Sequence, residues 1–248
     1  MRRILATAAL LALAPAARAS ALPFSPGEQM DLAVEWLRIP TGRARLSVGR
    51  ADGAVWTIVL QGQTEGVAKI VDVREHLVSY FDVETRLPRG SDLTAVEVGD
   101  RHQDRTRFDR ATGRATVTIL RKGKLREEVR EVPAGVHDLV TAFFWLRWQA
   151  LRDRDHYELP VFASTKVLTL TADVVGRETL ETRAGSFRTV KVQVRTAFEG
   201  QFRSKRDTFI WFSDDERRVL VRISAEFVLG SVVASLTAYR PGETLAQR

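Results

Sequence analysis

Gly135-Val-His-Asp-Leu-Val-Thr-Ala-Phe-Phe-Trp-Leu-Arg-Trp148 is the stretch whose reading decides the fold. Leu139, Val140, Phe143, Phe144, Leu146 and Leu151 recur largely at three- and four-residue steps, the spacing of one helical face. Ala142, Trp145 and Trp148 widen that stripe until little polar face remains before Arg147. Asp138 stands where an N-cap belongs, since its side-chain oxygen can accept from the unpaired amides of the first turn. A short helix that is apolar nearly all round is a buried helix. The pattern therefore predicts a helix over about 138–149, near 18 Å long at roughly 1.5 Å per residue. That length crosses a β domain but falls short of the roughly 20 residues a bilayer span needs.

Outward from this helix the chain reads as strands. Gln29 to Ile39, Arg43 to Val48 and Val55 to Gln61 alternate, with Pro40-Thr41-Gly42 and Asp52-Gly53 as turn chemistry between them. Val67 to Val73 fits either a short helix or a strand entry. Polar paired strands follow near Leu93 to Asp100 and Arg105 to Arg110. On the far side of the helix, Lys166 to Val174 and Thr189 to Arg195 alternate strictly, the mark of strands buried on one side. About a dozen strands joined by short turns make an antiparallel meander. A meander of that length hides its edges by curling. The fold class is mainly β: a strongly curved sheet or open barrel with the helix across its mouth. Residues 20–240 form one domain, and 241–248 form a polar tail.

Residues 1–19 read as a cleaved signal peptide. Arg2 and Arg3 precede the apolar run Ile4 to Leu13, and Ala17-Arg18-Ala19 gives the small-x-small cleavage pattern. The mature protein is expected to be periplasmic and soluble, with no transmembrane segment. The chain has no cysteine, so neither disulfides nor thiolate chemistry support it. Its formal charge is +7, and loss of Arg2, Arg3 and Arg18 leaves +4. Residues 101–131 hold ten Arg or Lys against five Asp or Glu, which reads as the solvated face of a charged hairpin or as a surface for an anionic envelope partner. No nucleic-acid motif is present.

Catalytic patterns are scarce. His76, His102, His137 and His156 show no zinc-ligand spacing and no His-Glu-x-x-His pattern. Ala184-Gly185-Ser186-Phe187 is a turn rather than a nucleophile elbow, and Asp214-Asp215-Glu216 lacks the alternating oxygens of a calcium loop. His137, just ahead of the helix, is the histidine best placed for a loop hydrogen bond. No metal or cofactor is predicted. The five tryptophans, Trp36, Trp56, Trp145, Trp148 and Trp211, lie on apolar faces or on the helix, as core filling or as the lining of a cavity.

From Glu131 to Tyr239 the chain resembles the bacterial domain-of-unknown-function 3108 family. The residues that carry the likeness are Val132-Pro133, His137 to Arg147, Leu159-Pro160-Val161-Phe162 and Val175 to Leu180. Ala184 to Phe187, Ile210 to Asp215, Arg218, Arg222-Ile223 and Gly230-Ser231 complete it. It weakens toward the N-terminus but extends over Phe81-Asp82 and Leu87-Pro88. Members usually carry a small residue near Thr141 and tyrosines near Phe144 and Trp145, where this chain is more apolar. The resemblance implies an exported, mostly β envelope protein and brings no catalytic residues with it.

These readings converge on a non-enzymatic binding or carrier protein that holds an apolar ligand, a lipid or a lipidated envelope component in a half-barrel. Phe143, Phe144, Trp145, Trp148, Trp36, Trp56 and Trp211 are its candidate ligand-binding residues. Two other readings stay open: an assembly factor without a small ligand, and a hydrolase of envelope polymers using dispersed carboxylates.

Overall fold

The computed structural model describes residues 22–70, 72–198, 208–227 and 230–243. The expected signal peptide over 1–19 and residues 244–248 of the expected polar tail lie outside them. Among the described residues no helix is long and apolar enough to cross a membrane.

Eight strands come first: β1 (Gln29–Trp36), β2 (Ile39–Arg50), β3 (Val55–Thr64), β4 (Arg74–Asp82), β5 (Leu87–Glu97), β6 (Asp100–Asp109), β7 (Arg114–Arg121) and β8 (Lys124–Glu131). The chain then crosses through β9 (His137–Asp138) and helix α1 (Leu139–Arg147). It returns as β10 (His156–Ala163), β11 (Lys166–Thr182), β12 (Gly185–Phe198), β13 (Thr208–Ser213), β14 (Leu220–Phe227) and β15 (Gly230–Arg240). All fifteen belong to one sheet, in which β1 pairs with β15 and joins two meanders side by side. β8 and β9 are its open edges, so the sheet curves without closing. β8 (KLREEVRE) carries a charge at most positions, the usual protection of a free edge.

Several turns differ from the sequence reading. The first hairpin turns at Leu37 and Arg38, both left-handed (φ 51° and 66°), rather than at Pro40-Thr41-Gly42. Pro40 lies inside β2 opposite Glu35, where the register shifts and a missing N–H is tolerated. The ambiguous stretch after β3 is a 3-10 turn over Gly66–Ile70. The polar strands in the middle are longer than expected, and the two-residue β9, which the sequence reading did not separate from the helix start, brings the number of strands to fifteen. Of the expected tail, Glu243 is tied down: its N–H donates to the Pro26 carbonyl at 2.8 Å and its carbonyl accepts from Ser25 Oγ at 2.7 Å.

Alternation assigns the concave face. Met30 and Leu32, Leu46 and Val48, Trp56 and Ile58, Phe81, Val190 and Val192, Ile210 and Phe212, and Leu236 all point inward and are buried. α1 lies across them, capped as the sequence predicts. Thr141 N donates to Asp138 Oδ1 at 2.8 Å, and Asp138 N donates back to Thr141 Oγ1 at 3.1 Å. Ser79 of β4 donates its hydroxyl to the same carboxylate and so ties the helix start to the sheet wall. Across the opening, Ala115 and Val117 of β7 pack with Phe162 of β10 and Val136. The two wings therefore meet through side chains, without a hydrogen-bonded ladder.

The end of the sheet where β1 starts and β15 finishes is called the lower end. The lead-in there, which reads in sequence as a connection, supplies Phe24. Its ring centre lies 4.7 Å from Phe144, 5.9 Å from Phe81, 6.0 Å from Trp148 and 6.1 Å from Trp56. Arg147, in sequence the first charged residue of the helix, is buried with Glu28. Its Nη1 and Nη2 donate to the two Glu28 oxygens at 2.7 and 2.8 Å. Its Nε and Nη2 also donate to the Arg218 and Arg217 carbonyls, each at 2.9 Å. Tyr239 donates to Glu28 at 3.1 Å, and burial together with that carboxylate pushes its hydroxyl up to about 12. A charge-assisted fork thus closes the lower end around the helix C-terminus.

Candidate functional site

Towards the upper end of the same strands the concave face changes character. Ala44, Leu60, Leu77, Ile223 and Ala234 pack against the core yet stay half-exposed, each further up its strand than the fully buried residues below. Between them sits Gly62, inward-facing by its alternation with Trp56, Ile58 and Leu60. A Cβ built on Gly62 meets nothing within 4 Å. The upper half is therefore a trough with an apolar floor and unfilled space over Gly62.

One wall of the trough is titratable. Across the sheet from Gly62, the register runs through Glu75 and Ala95 to His102. Glu97 and Asp104 share that inward face by alternation. The Glu75 carboxyl is pushed up, first by burial and then by repulsion from Glu97, while His102 pulls it back. His102 Nδ1 and Asp104 Oδ1 are enclosed with no hydrogen-bond partner among the described residues. Those two atoms are sealed from the trough, so the acceptors this wall offers beside the apolar floor are the Glu75 and Glu97 carboxyls. No group of three or more His, Asp or Glu suited to a metal occurs among the described residues.

The seven residues singled out from sequence are not brought together. Phe144 is fully buried, and Trp56 and Trp148 join it around Phe24. Phe143 stacks 5.2 Å from Phe212, and Trp145 meets Tyr157 edge-on at 5.8 Å. These five plug the lower half. Trp36 stands exposed on the first hairpin. Trp211 faces the convex side, where Leu180, Val221 and Phe209 surround it and its Nε1 donates to Glu178 at 2.7 Å. Strand alternation in the sequence places Ala44 and Leu60 inward, but nothing in it marks them as the half-covered ones.

His137 is also buried, its ring 6.5 Å from that of Trp148, and its Nδ1 lacks a protein partner among the described residues. Burial, with Arg110 nearby, lowers it to about 4, so it is neutral at pH 7. The expected loop hydrogen bond from this ring nitrogen is not made. Asp138 beside it is pushed the other way, its carboxyl raised by burial against the four hydrogen bonds it accepts. Arg110 reaches the Val136 carbonyl at 3.0 Å and bridges to Pro88 at 2.7 Å, pinning this corner. Arg110 and Asp138 thus hold β9 to the wall.

Residues 29–237 match the family described as "Protein of unknown function (DUF3108)". Among solved structures, the chain is similar to a β-barrel-like protein of domain of unknown function DUF1849 from Brucella abortus. That likeness has a TM-score of 0.63 at 8% identity and covers 88% of this chain and 98% of the other. A Bacteroides fragilis protein with a YmcC-like fold matches over the same shares at 12% identity, with a TM-score of 0.35. The first shows a shared fold and no more. No curated protein matches the sequence.

Proposed function

This chain belongs to the DUF3108 family, and on that premise we propose that it is a non-enzymatic envelope protein that holds an amphiphile's apolar chain in its upper trough. One observation carries the reading: the concave face is filled by α1 below and left open over Gly62 above, with apolar side chains around the opening. A core sealed along its whole length would leave no room for a ligand. Here Ala44, Leu60, Leu77, Ile223 and Ala234 keep part of their surface in reserve, and covering apolar surface is favourable at roughly 25 cal/mol per Å². The helix acts as the floor of the site, and five of the seven aromatic residues, all but Trp36 and Trp211, form a scaffold beneath it rather than its lining. The leader at residues 1–19 directs the protein to the periplasm, where lipids and lipidated proteins supply such chains.

Native mass spectrometry of protein purified gently from the envelope tests this. The expected result is a mass excess of one amphiphile, released on denaturation and absent from Gly62→Leu, whose side chain occupies the open space. A bare mass in the wild type, or equal loading of the variant, would sink the proposal.

A further inference from the structure

The antiparallel meander sends alternate turns to opposite ends of the sheet, and the two sets differ in chemistry. Nine large apolar residues stand exposed among those described, and six of them crowd three upper hairpins. They are Trp36, Leu37 and Ile39 on the β1–β2 hairpin, Val98 on β5–β6, and Leu120 and Leu125 on β7–β8. The lower turns, including Asp52-Gly53, Glu84 to Arg86 and Asp214 to Arg218, are polar and mixed in sign. None of the nine lies on them.

The upper hairpins interleave these apolar residues with cations. Arg38, Arg101, Lys122 and Lys124 make no ion pair among the described residues. Of the acids beside them, Asp100 is already neutralised by Arg121 at 2.8 Å, which leaves Glu35 and Glu97. Between the second and third hairpins lies an open hollow of about 670 Å³, lined by Val98 and Leu120 together with Arg101, Lys122 and the Arg121-paired Asp100. The turns themselves are tight: Val98 and Gly99 have φ of 51° and 79°, Lys122 and Gly123 51° and 72°. A β-branched residue is a rare choice in the left-handed region, and Val98 is also 73% exposed. Neither the backbone nor the folded core accounts for a valine there.

We propose that these three hairpins are a docking rim that seats the mouth of the trough on an anionic phospholipid bilayer, the apolar tips entering the interface and a head-group phosphate entering the hollow between Arg101 and Lys122. Separate, shallow tips flanked by cations suit an interface that is apolar within and negative at its surface. All three hairpins belong to the β1–β8 wing, so the rim lines one side of the open end of the trough, and docking brings the proposed ligand site to the source of its ligand. The docking itself does not require that the trough be filled.

Co-sedimentation of the purified protein with phosphatidylcholine vesicles, with and without phosphatidylglycerol, tests the rim. Binding is expected on the anionic vesicles only and should weaken as salt is raised. The variant Arg101→Gln/Lys122→Gln/Lys124→Gln should bind roughly 100-fold more weakly, at about fivefold per cation near such a surface. Leu37→Ser/Val98→Ser/Leu125→Ser should lose about tenfold or more through its missing apolar tips. Both sets are exposed, so thermal midpoints should hold, and a fallen midpoint would call for the single variants instead. Equal binding to neutral vesicles, no binding, or variants that bind like the wild type would overturn the proposal. So would concentration-dependent self-association abolished by the Leu37, Val98 and Leu125 changes, since the rim would then meet a second copy. Gly62→Leu should dock unchanged, so a failed trough and a failed rim give separable results.

Discussion

At the lower end of the sheet each inward side chain meets another: Phe144 is locked between Phe24 and Phe143, Phe24 in turn meets Phe81, and Arg147 is held by Glu28 and two carbonyls. At the upper end the same strands carry Leu60, Gly62 and Leu77, which have the inward direction of a core but not its closure. Strand pairing is continuous through both ends, so the contrast does not arise from the sheet. It arises because α1 is only nine residues long and covers half of the concave face. The lower end is built for stability, and the upper end keeps apolar surface available for something else.

The comparison breaks first at the buried ion pair. Arg147→Ala leaves the Glu28 carboxylate enclosed without its partner, and loss of one member of such a pair costs about 3–5 kcal/mol. Urea unfolding should show that loss, while Glu28→Gln/Arg147→Met should recover much of it by removing both charges. A cost below about 1 kcal/mol for the single change would mean that the lower end is not sealed as described.

Next comes the contrast between matched truncations. Phe144→Ala removes a fully buried ring and should cost about 3–5 kcal/mol. Leu77→Ala removes a half-exposed side chain beside unfilled space and should cost closer to 1 kcal/mol, below the range for a packed core leucine. Equal losses in thermal or urea unfolding would erase the difference between the two ends.

A smaller effect follows from pH. His137 is lowered from 6.5 to about 4 in the fold, so the unfolded chain takes up this proton first. Stability falls as pH drops from about 6.5 and stops falling near 4, by at most about 3 kcal/mol. Asp138 acts in the opposite sense, because a raised carboxyl favours the fold as pH falls through it. His156, raised chiefly by its hydrogen bond to Asp173, also favours the fold below 6.5, though it is exposed and adds little. The His137→Phe variant isolates the histidine: its stability between pH 7 and pH 5 should decline less than that of the wild type.

The legible part of this architecture was what periodicity encodes. Alternation in Val55 to Gln61 shows which residues face inward, and the three- and four-residue recurrence in Leu139 to Leu146 identifies the plug. What periodicity does not encode is how far the plug reaches. Leu60 and Ile58 have the same pattern in sequence, and only the position of α1 makes one buried and the other half-open. Arg147 reads as the polar end of a helix because its partner, Glu28, lies 119 residues away. Phe24 reads as a linker residue for the same reason. The tryptophans are not brought together, because size marks a residue for burial without saying which face of the sheet buries it, as Trp211 on the convex side shows.

The mildest change tests the open end most directly. Gly62 is in ordinary extended backbone, so a side chain there carries no left-handed penalty, and the space above it is clear to 4 Å. Replacing a strand glycine removes freedom from the unfolded chain, an effect of about 0.4–1 kcal/mol when the native backbone accepts the new residue. Gly62→Leu also brings apolar surface against Leu60 and Leu77. It should therefore leave stability unchanged or raise it by about 1 kcal/mol, while depriving the trough of the proposed ligand. Overpacking of a filled core would instead cost about 1–3 kcal/mol. A substitution that stabilises the protein as it empties it would separate the two ends by function, because only surplus space can be filled without loss to the fold.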